Sequence, residues 1–522
     1  MRKILIISML FIVSTFSYAQ VTTTITQQAT LGGSDLESPY SLIMNTDGSI
    51  LLVGFSGSGI SGDKTVASFG GLDIWVILLG SDFSVSWQNV YGGNGDESSP
   101  VAIKTSDGGY LIGCYSSSGI SGNKTVDEYG AGDYWIIKID NNGAIEWQNV
   151  YGGTEVEALS GLAETPEGDF LLCGSSQSAI SGNKTAASIG LMDYWLVKID
   201  SAGNLLWDKT YGGTDVNKAT DMLLDKDNNL LLCGHSNSGI SGTKTEDSYG
   251  STDFWVVKTD LDGNVIWDKT LGGSTGEQNP ICASSTTAFY IAGSSSSPIG
   301  GTKTEPPIGV IEFWVTKLDY DGNIIWDRTL GGNQIDGAID LIVAADHQVV
   351  ICGQSNSGIS GDKTETNYAG GYDSWIVSVD SNGTKLWDKT LGGNGSDAFY
   401  LVTERSDNNY IFLGYSDSNI SEDKAENSRG VEDYWVVEVG SNVGINQWSK
   451  NITGFIYPNP AYSEVRFKQN VTDVVVIDAI GQIVFEYSGE LNTIDLDEWN
   501  SGLYFVTFKI NDEQRVEKLI VE

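Results

Sequence analysis

Histidine is almost missing from this chain of 522 residues; His235 and His347 are the only two, far apart. No His-Glu-x-x-His or Cys-x-x-Cys occurs, and neither histidine has a Gly-x-Ser-x-Gly beside it. The usual zinc-protease, dithiol and serine-hydrolase signatures are therefore not formed around them. Arginine is scarce too: Arg328, Arg405 and Arg429 are the only ones between residues 31 and 451. That leaves no arginine cluster of the sialidase kind. Positive charge is short overall, with 29 Lys and Arg against 68 Asp and Glu, a formal charge of −39. Such an excess disfavours nucleic acid and anionic membrane as partners. After residue 19 no apolar run is long enough to cross a bilayer as a helix, so no transmembrane segment is expected in the mature chain. Nine prolines against 64 glycines mark a turn-rich chain rather than a disordered one.

What the chain has in abundance is repetition. A pattern beginning at Leu31 returns at Tyr91, Tyr151, Tyr211, Leu271, Leu330 and Leu391, a period of 60 residues with one slip of a residue. Four strand-like segments fit in each period. In the third repeat they are 158–165, 169–175, 193–200 and 204–210, here called A to D. Tight turns join A to B, as at Asp47-Gly48 and Asp107-Gly108, and an Asp-x-x-Gly turn joins C to D, as at Asp200 to Gly203. A four-stranded sheet with two apolar faces cannot bury both alone. Radial stacking of seven copies buries them and leaves only short edges. The expected fold is all-β: a seven-bladed β-propeller over 20–451, followed by a small β-sandwich.

Of 15 tryptophans, 14 recur in register. Seven stand in strand C (Trp75, Trp135, Trp195, Trp255, Trp314, Trp375, Trp435) and seven in strand D (Trp87, Trp147, Trp207, Trp267, Trp326, Trp387, Trp448). Recurrence at this level reads as packing between blades. The C–D segment, such as WVVKTDLDGNVIWDKTLGG, resembles the tryptophan-docking repeats of quinoprotein-like propellers, and the whole repeat is similar to bacterial delta-60-type propeller repeats. That resemblance bears on fold and hardly on function, and the chain has no arginine and carboxylate constellation for a quinone cofactor. The cysteines Cys173, Cys233 and Cys352 share one repeat position in strand B. Rotation about the ring axis should hold such positions beyond the roughly 7 Å a disulfide tolerates. All five cysteines, with Cys114 and Cys282, are expected as small buried thiols.

Alternation of up and down strands sends the D–A and B–C connections to one face of the ring. The long B–C connection carries one lysine per repeat: Lys64, Lys124, Lys184, Lys244, Lys303, Lys363 and Lys424. Nine residues on stands an acid in six repeats (Asp73, Asp133, Asp193, Asp253, Glu312, Asp433), and Asp373 lies one residue further in the other. Four residues past the paired glycines of the D–A connection stand Glu37, Glu97, Glu157, Asn217, Glu277, Asp336 and Asp397. These could ring one mouth of the central channel and hold a cation such as calcium, which takes several carboxylate oxygens. The competing expectation is that each acid caps a local turn or pairs with a loop lysine. Lysines and acids on one face favour that second reading. No other cofactor is expected.

The ends of the chain suggest a route. Residues 1–19 have Arg2 and Lys3, an apolar stretch from Ile4 to Phe16 and small residues before Gln20, the pattern of a signal peptide. Strand D has a counterpart at both termini of the ring, at 21–30 and around Trp448, and one of them should close it. Residues 452–522 break the repeat. Tyr457-Pro458-Asn459-Pro460, Val474 to Asp478, Gly481-Gln482, Ser501-Gly502-Leu503-Tyr504 and Lys518-Leu519-Ile520-Val521 resemble the C-terminal sorting domain of type IX secretion in Gram-negative bacteria. The resemblance implies partnership with that machinery, export through the periplasm, and a cell-surface or extracellular destination. The function expected from the whole is a monomeric, non-catalytic binding propeller whose ligand, a glycan or a protein, sits on the long-loop face. The alternatives are an extracellular polysaccharide-acting enzyme and a passive surface scaffold.

Overall fold

Seven four-stranded antiparallel sheets follow one another along the chain in a computed structural model, six of them made of the A to D strands of one repeat. The structure describes residues 22–368, 371–406, 409–442, 455–478, 482–496, 499–510 and 513–521. The predicted signal peptide and Trp448 lie outside them. Among the described residues all regular structure is strand. In the third repeat the strands are Glu157–Glu164, Phe170–Ser176, Asp193–Ile199 and Leu205–Tyr211, each within a residue or so of its expected limits. Each A strand packs against the A strands of both neighbouring sheets, and Glu37–Met44 meets Asp397–Ser406, so the ring closes on itself as a β-propeller.

The last sheet is completed from the other end of the chain. Its order is Thr22–Leu31, Asp433–Asn442, Asn409–Ser416, Asp397–Ser406. The N-terminal strand therefore stands where the other sheets have strand D. It also supplies the hydrogen bond that position owes. In each sheet the strand-C indole donates to the residue after the strand-D tryptophan: Trp135 Nε1 to Gln148 at 3.1 Å, Trp195 to Asp208 at 2.9 Å, Trp255 to Asp268 at 3.0 Å. In the last sheet Trp435 donates to Gln28 at 3.1 Å.

Strand B is apolar on both faces because sheets cover it on both sides; Ile50–Ser56 and Phe170–Ser176 are buried throughout. The seven strand-C tryptophans are fully buried. Five of them pack on the aromatic residue that precedes the tryptophan of the sheet before, as do Tyr134 on Trp195 at 5.0 Å between ring centroids, Tyr194 on Trp255 at 4.8 Å and Tyr434 on Trp75 at 5.2 Å. Aromatic contacts of this kind add to area burial. The strand-D tryptophans lie further out and tie neighbouring sheets, as where Trp147 donates to the Ser201 carbonyl at 3.2 Å. The cysteines are free; four are buried and Cys282 is half-buried.

The C-terminal unit has its own core. Strands Ile456–Tyr457, Glu464–Asp478, Ile483–Tyr487, Leu491–Asp495, Gly502–Ile510 and Glu513–Val521 form one six-stranded sheet around the long Glu464–Asp478 strand. That strand pairs with Leu491–Asp495 through its first half and with Gly502–Ile510 through its second, with a register break between. Val465, Phe467, Val474, Val476, Val506, Phe508 and Leu519 are buried within it.

Candidate functional site

The recurring acids stand at the starts of the A strands, where one sheet meets the next. Their own N–H groups cross the junction: Glu97 donates to the Leu72 carbonyl at 2.7 Å and Glu37 to that of Glu432 at 2.9 Å. Their side chains turn inward. Glu97 Oε2 accepts the Gly93 N–H at 2.9 Å and its Oε1 accepts the Ser116 hydroxyl at 2.7 Å. Glu37, Glu157 and Glu277 repeat both contacts. Asp336 and Asp397 take the glycine N–H and a serine, Ser357 or Ser418. Asn217 takes the Ser236 hydroxyl at 2.6 Å. All seven side chains are fully buried, and each is held by hydrogen bonds within its own junction. Among the described residues no group of three or more His, Cys, Asp or Glu converges as a metal site.

The loop lysines are buried as well. Lys64, Lys124, Lys184, Lys244, Lys303, Lys363 and Lys424 are at most 2% exposed. Lys184 donates to the Thr210 hydroxyl at 3.0 Å and Lys303 to that of Thr329 at 2.6 Å. From the second repeat on, each ammonium also lies over the strand-C tryptophan of its sheet, Lys184 at 5.3 Å from the Trp195 ring. The lysine thus pins the B–C connection to the sheet. Burial lowers its basicity, to about 8 for Lys363 and Lys424.

Each junction holds a second acid, from the start of strand C: Asp73 faces Glu97, Asp133 faces Glu157, Asp253 faces Glu277. At Gly92, Gly152, Gly272 and Gly331 the first glycine of the pair is the residue both crowd. A Cβ on Gly92 would lie 1.8 Å from Asp73 Oδ1 and 2.8 Å from Glu97 Oε2. Two buried carboxylates at such proximity cannot both stay ionised cheaply. Burial, seconded by the neighbouring carboxylate, pushes Asp133 up to about 7 and Asp73 and Asp253 up to about 6. The Oδ1 atoms of Asp73, Asp133, Asp253, Asp373 and Asp433 have no hydrogen-bond partner among the described residues. One junction departs from this. Asn217 replaces the acid, and its Nδ2 donates to Asp193 Oδ1 at 3.4 Å. At the other junctions a carboxylate stands where the Asn217 amide stands here.

The long-loop face offers one large apolar side chain per repeat to solvent. Ile60, Ile120, Ile180, Ile240, Ile299, Ile359 and Ile420, one per repeat between the B strand and the lysine, are 59–68% exposed. The sequence carried this signal in the recurring Ile-Ser-Gly-x-Lys phrase, but burial separates the isoleucine from its lysine only in three dimensions. Gly272-Gly273-Ser274-Thr275-Gly276 fits the Gly-x-Ser-x-Gly spacing. It lies in a D–A connection ahead of a strand, so the strand-to-helix elbow that would activate the serine is not built there. His235 is half-buried, and burial with Lys218 nearby pushes it down to about 4, so it is neutral at physiological pH.

Residues 455–522 match the family described as a secretion system C-terminal sorting domain. The chain is therefore exported by type IX secretion to the cell surface or extracellular space. Regulatory protein FlaEY of Caulobacter vibrioides is 24% identical over 217 residues, covering 37% of this chain and 23% of that protein. The chain thus matches less than a quarter of that relative's length. Among solved structures, a protein of unknown function from Dyadobacter fermentans shares 9% identity at a TM-score of 0.42 over 80% of this chain and 99% of its own. The Pan2 WD40 domain of Neurospora crassa shares 9% at 0.42 over 81% and 97%. The PQQ-bound aldose sugar dehydrogenase of Streptomyces coelicolor shares 10% at 0.32 over 81% and 98%. At these scores the likenesses carry no argument, and the propeller rests on the ring of sheets itself.

Proposed function

We propose that this surface or extracellular protein is a seven-bladed, non-catalytic binding propeller, with a sorting domain folded as a small β-sandwich. Its ligand, a glycan or a protein, docks on the face formed by the B–C connections. The observation that carries the reading is the set of seven exposed isoleucines. Large apolar side chains held out on an otherwise polar loop, once per repeat, form a surface that excludes water when a partner covers it. The buried lysines and acids support the same division of labour, because they hold the loops in place and leave the tips free. The seven sheets and the closing N-terminal strand support the blade count. The test is the triple variant Ile120→Asp, Ile180→Asp, Ile240→Asp in the mature chain. Saturable binding to immobilised surface polysaccharide and secreted proteins of the native cell should fall about tenfold or more, with the melting temperature unchanged. Undiminished binding would refute the reading.

A further inference from the structure

The pseudo-sevenfold pattern fails at one corner, where the last repeat meets the first. Strand A has Tyr40 and Tyr400 at the position occupied elsewhere by Pro100, Ser160, Thr220, Pro280 and Ile339. Strand B adds Tyr415, matched by Phe55 and Tyr115 in the first two repeats, where the third to sixth have Ser175, His235, Ser294 and Gln354. The rings stand nearly at right angles: Tyr40 to Tyr400 at 69° with centroids 6.5 Å apart, and Tyr400 to Tyr415 at 72° with 5.4 Å. Phe55 backs Tyr40 at 5.6 Å. All three tyrosines are half-buried, and among the described residues none of their hydroxyls has a hydrogen-bond partner.

Two carboxylates found in no other repeat lie near Tyr415, and one of them, Glu432, also near Tyr400. Glu432 takes the place of Leu72, Gly132, Met192, Thr252, Ile311 and Tyr372, and Asp417 is the only acid at its repeat position. Asp417 accepts the Ser396 N–H and is otherwise exposed. The Glu432 carboxylate is half-buried and receives no hydrogen bond from the described residues. It feels Asp417 and no cation, and burial followed by Asp417 holds it above the usual carboxylate range. Burial, then Glu432, pushes Tyr415 up to about 12. Glu432 is a half-buried anion near Tyr400 and Tyr415 and has no counter-charge among the described residues.

We propose that this corner binds an organic ammonium group, seated against the faces of Tyr40, Tyr400 and Tyr415 with its charge on Glu432 and Asp417. Ring faces attract such a cation through their quadrupole, and the paired carboxylates supply the stronger attraction. The negative charge of the whole chain draws the same class of ligand. The proposal deepens the binding reading above by giving the ligand its charge, and it places the contact at the channel end of the loop face.

The test is calorimetric titration of the mature chain with tetramethylammonium, with sodium as the control at equal ionic strength. Saturable binding is expected for tetramethylammonium and not for sodium. Tyr400→Ala should abolish it, and Glu432→Gln should weaken it about tenfold without lowering the melting temperature. Glucosamine and an Nα-acetylated lysine amide then distinguish the carriers: competition by the first assigns the group to a sugar, by the second to a peptide, and either supports the site. No saturation, equal binding by Tyr400→Ala, or preference for neutral glucose would overturn it. Failure of the ion titration while the isoleucine variants still lose their ligand would sink the corner and leave the loop-face reading standing.

Discussion

At the scale of single residues, the junction acids make the fold sensitive to pH in an unusual direction. Asp73 and Asp253 at about 6 and Asp133 and Asp373 at about 7 bind protons more readily folded than unfolded, where such groups titrate near 4. Stability from a raised carboxyl is fully present below the unfolded value and is lost as pH climbs through the folded one. The native state should therefore weaken between about pH 4 and 7 as these pairs lose their shared proton. Asn217→Asp isolates the effect. It replaces the one amide that donates to Asp193 with an acid that must find a proton. We expect the variant to lose about 1–3 kcal/mol at pH 8 and to approach the parent at pH 5, read from urea melts at both values. A loss equal at both pH values would contradict the shared-proton account. None of this was legible along the chain. The spacing of Glu97 from its glycines and of Asp133 from Lys124 was plain, but which acid meets which, across a sheet boundary, follows only from closing the ring.

At the scale of strands and sheets, the sequence was far more legible. Thirteen tryptophans in register marked the seven C strands and six of the D strands of the described ring, because a period of 60 residues leaves little freedom once turns and aromatics are fixed. The buried member of each pair should matter more. Trp195→Ala removes a fully buried ring, its contact with Tyr134 and its bond to Asp208, and should cost about 3–5 kcal/mol. Trp147→Ala, at the outer edge, should cost visibly less in the same urea melts; equal costs would contradict the layering. Two strand-D candidates were open, at 21–30 and around Trp448. Gln28, matching Gln88 and Gln148 as acceptor for a strand-C indole, is what assigns closure to the N-terminal strand. Deleting 22–31 would leave the Asp433–Asn442 strand as an unpaired edge and Trp435 without its acceptor. The shortened chain is expected to aggregate or to melt well below the parent; unchanged melting would mean that another segment closes the ring.

At the scale of the whole molecule, charge and burial divide the protein into a holding part and a presenting part. Fourteen lysines, acids and one asparagine that the sequence suggested as binding groups are turned into the junctions, where hydrogen bonds and tryptophan faces occupy them. Periodicity cannot distinguish a residue lining a channel from one sealed between sheets, since both recur once per repeat. The isoleucine tips do reach solvent, and the corner where the repeat pattern fails is half-open to it. A comparison of repeats position by position for exceptions, rather than for agreement, would have picked out Tyr40, Tyr400, Asp417 and Glu432. The most direct test of this division measures melting and ligand binding on the same samples for Glu97→Ala and for the triple isoleucine variant. The account predicts that Glu97→Ala, which strips the Gly93 N–H and Ser116 hydroxyl of their acceptor, lowers stability by about 1–3 kcal/mol and keeps the ligand, while the isoleucine variant keeps its stability and loses the ligand. Loss of binding in Glu97→Ala at an unchanged melting temperature would contradict it and return the acids to the binding site.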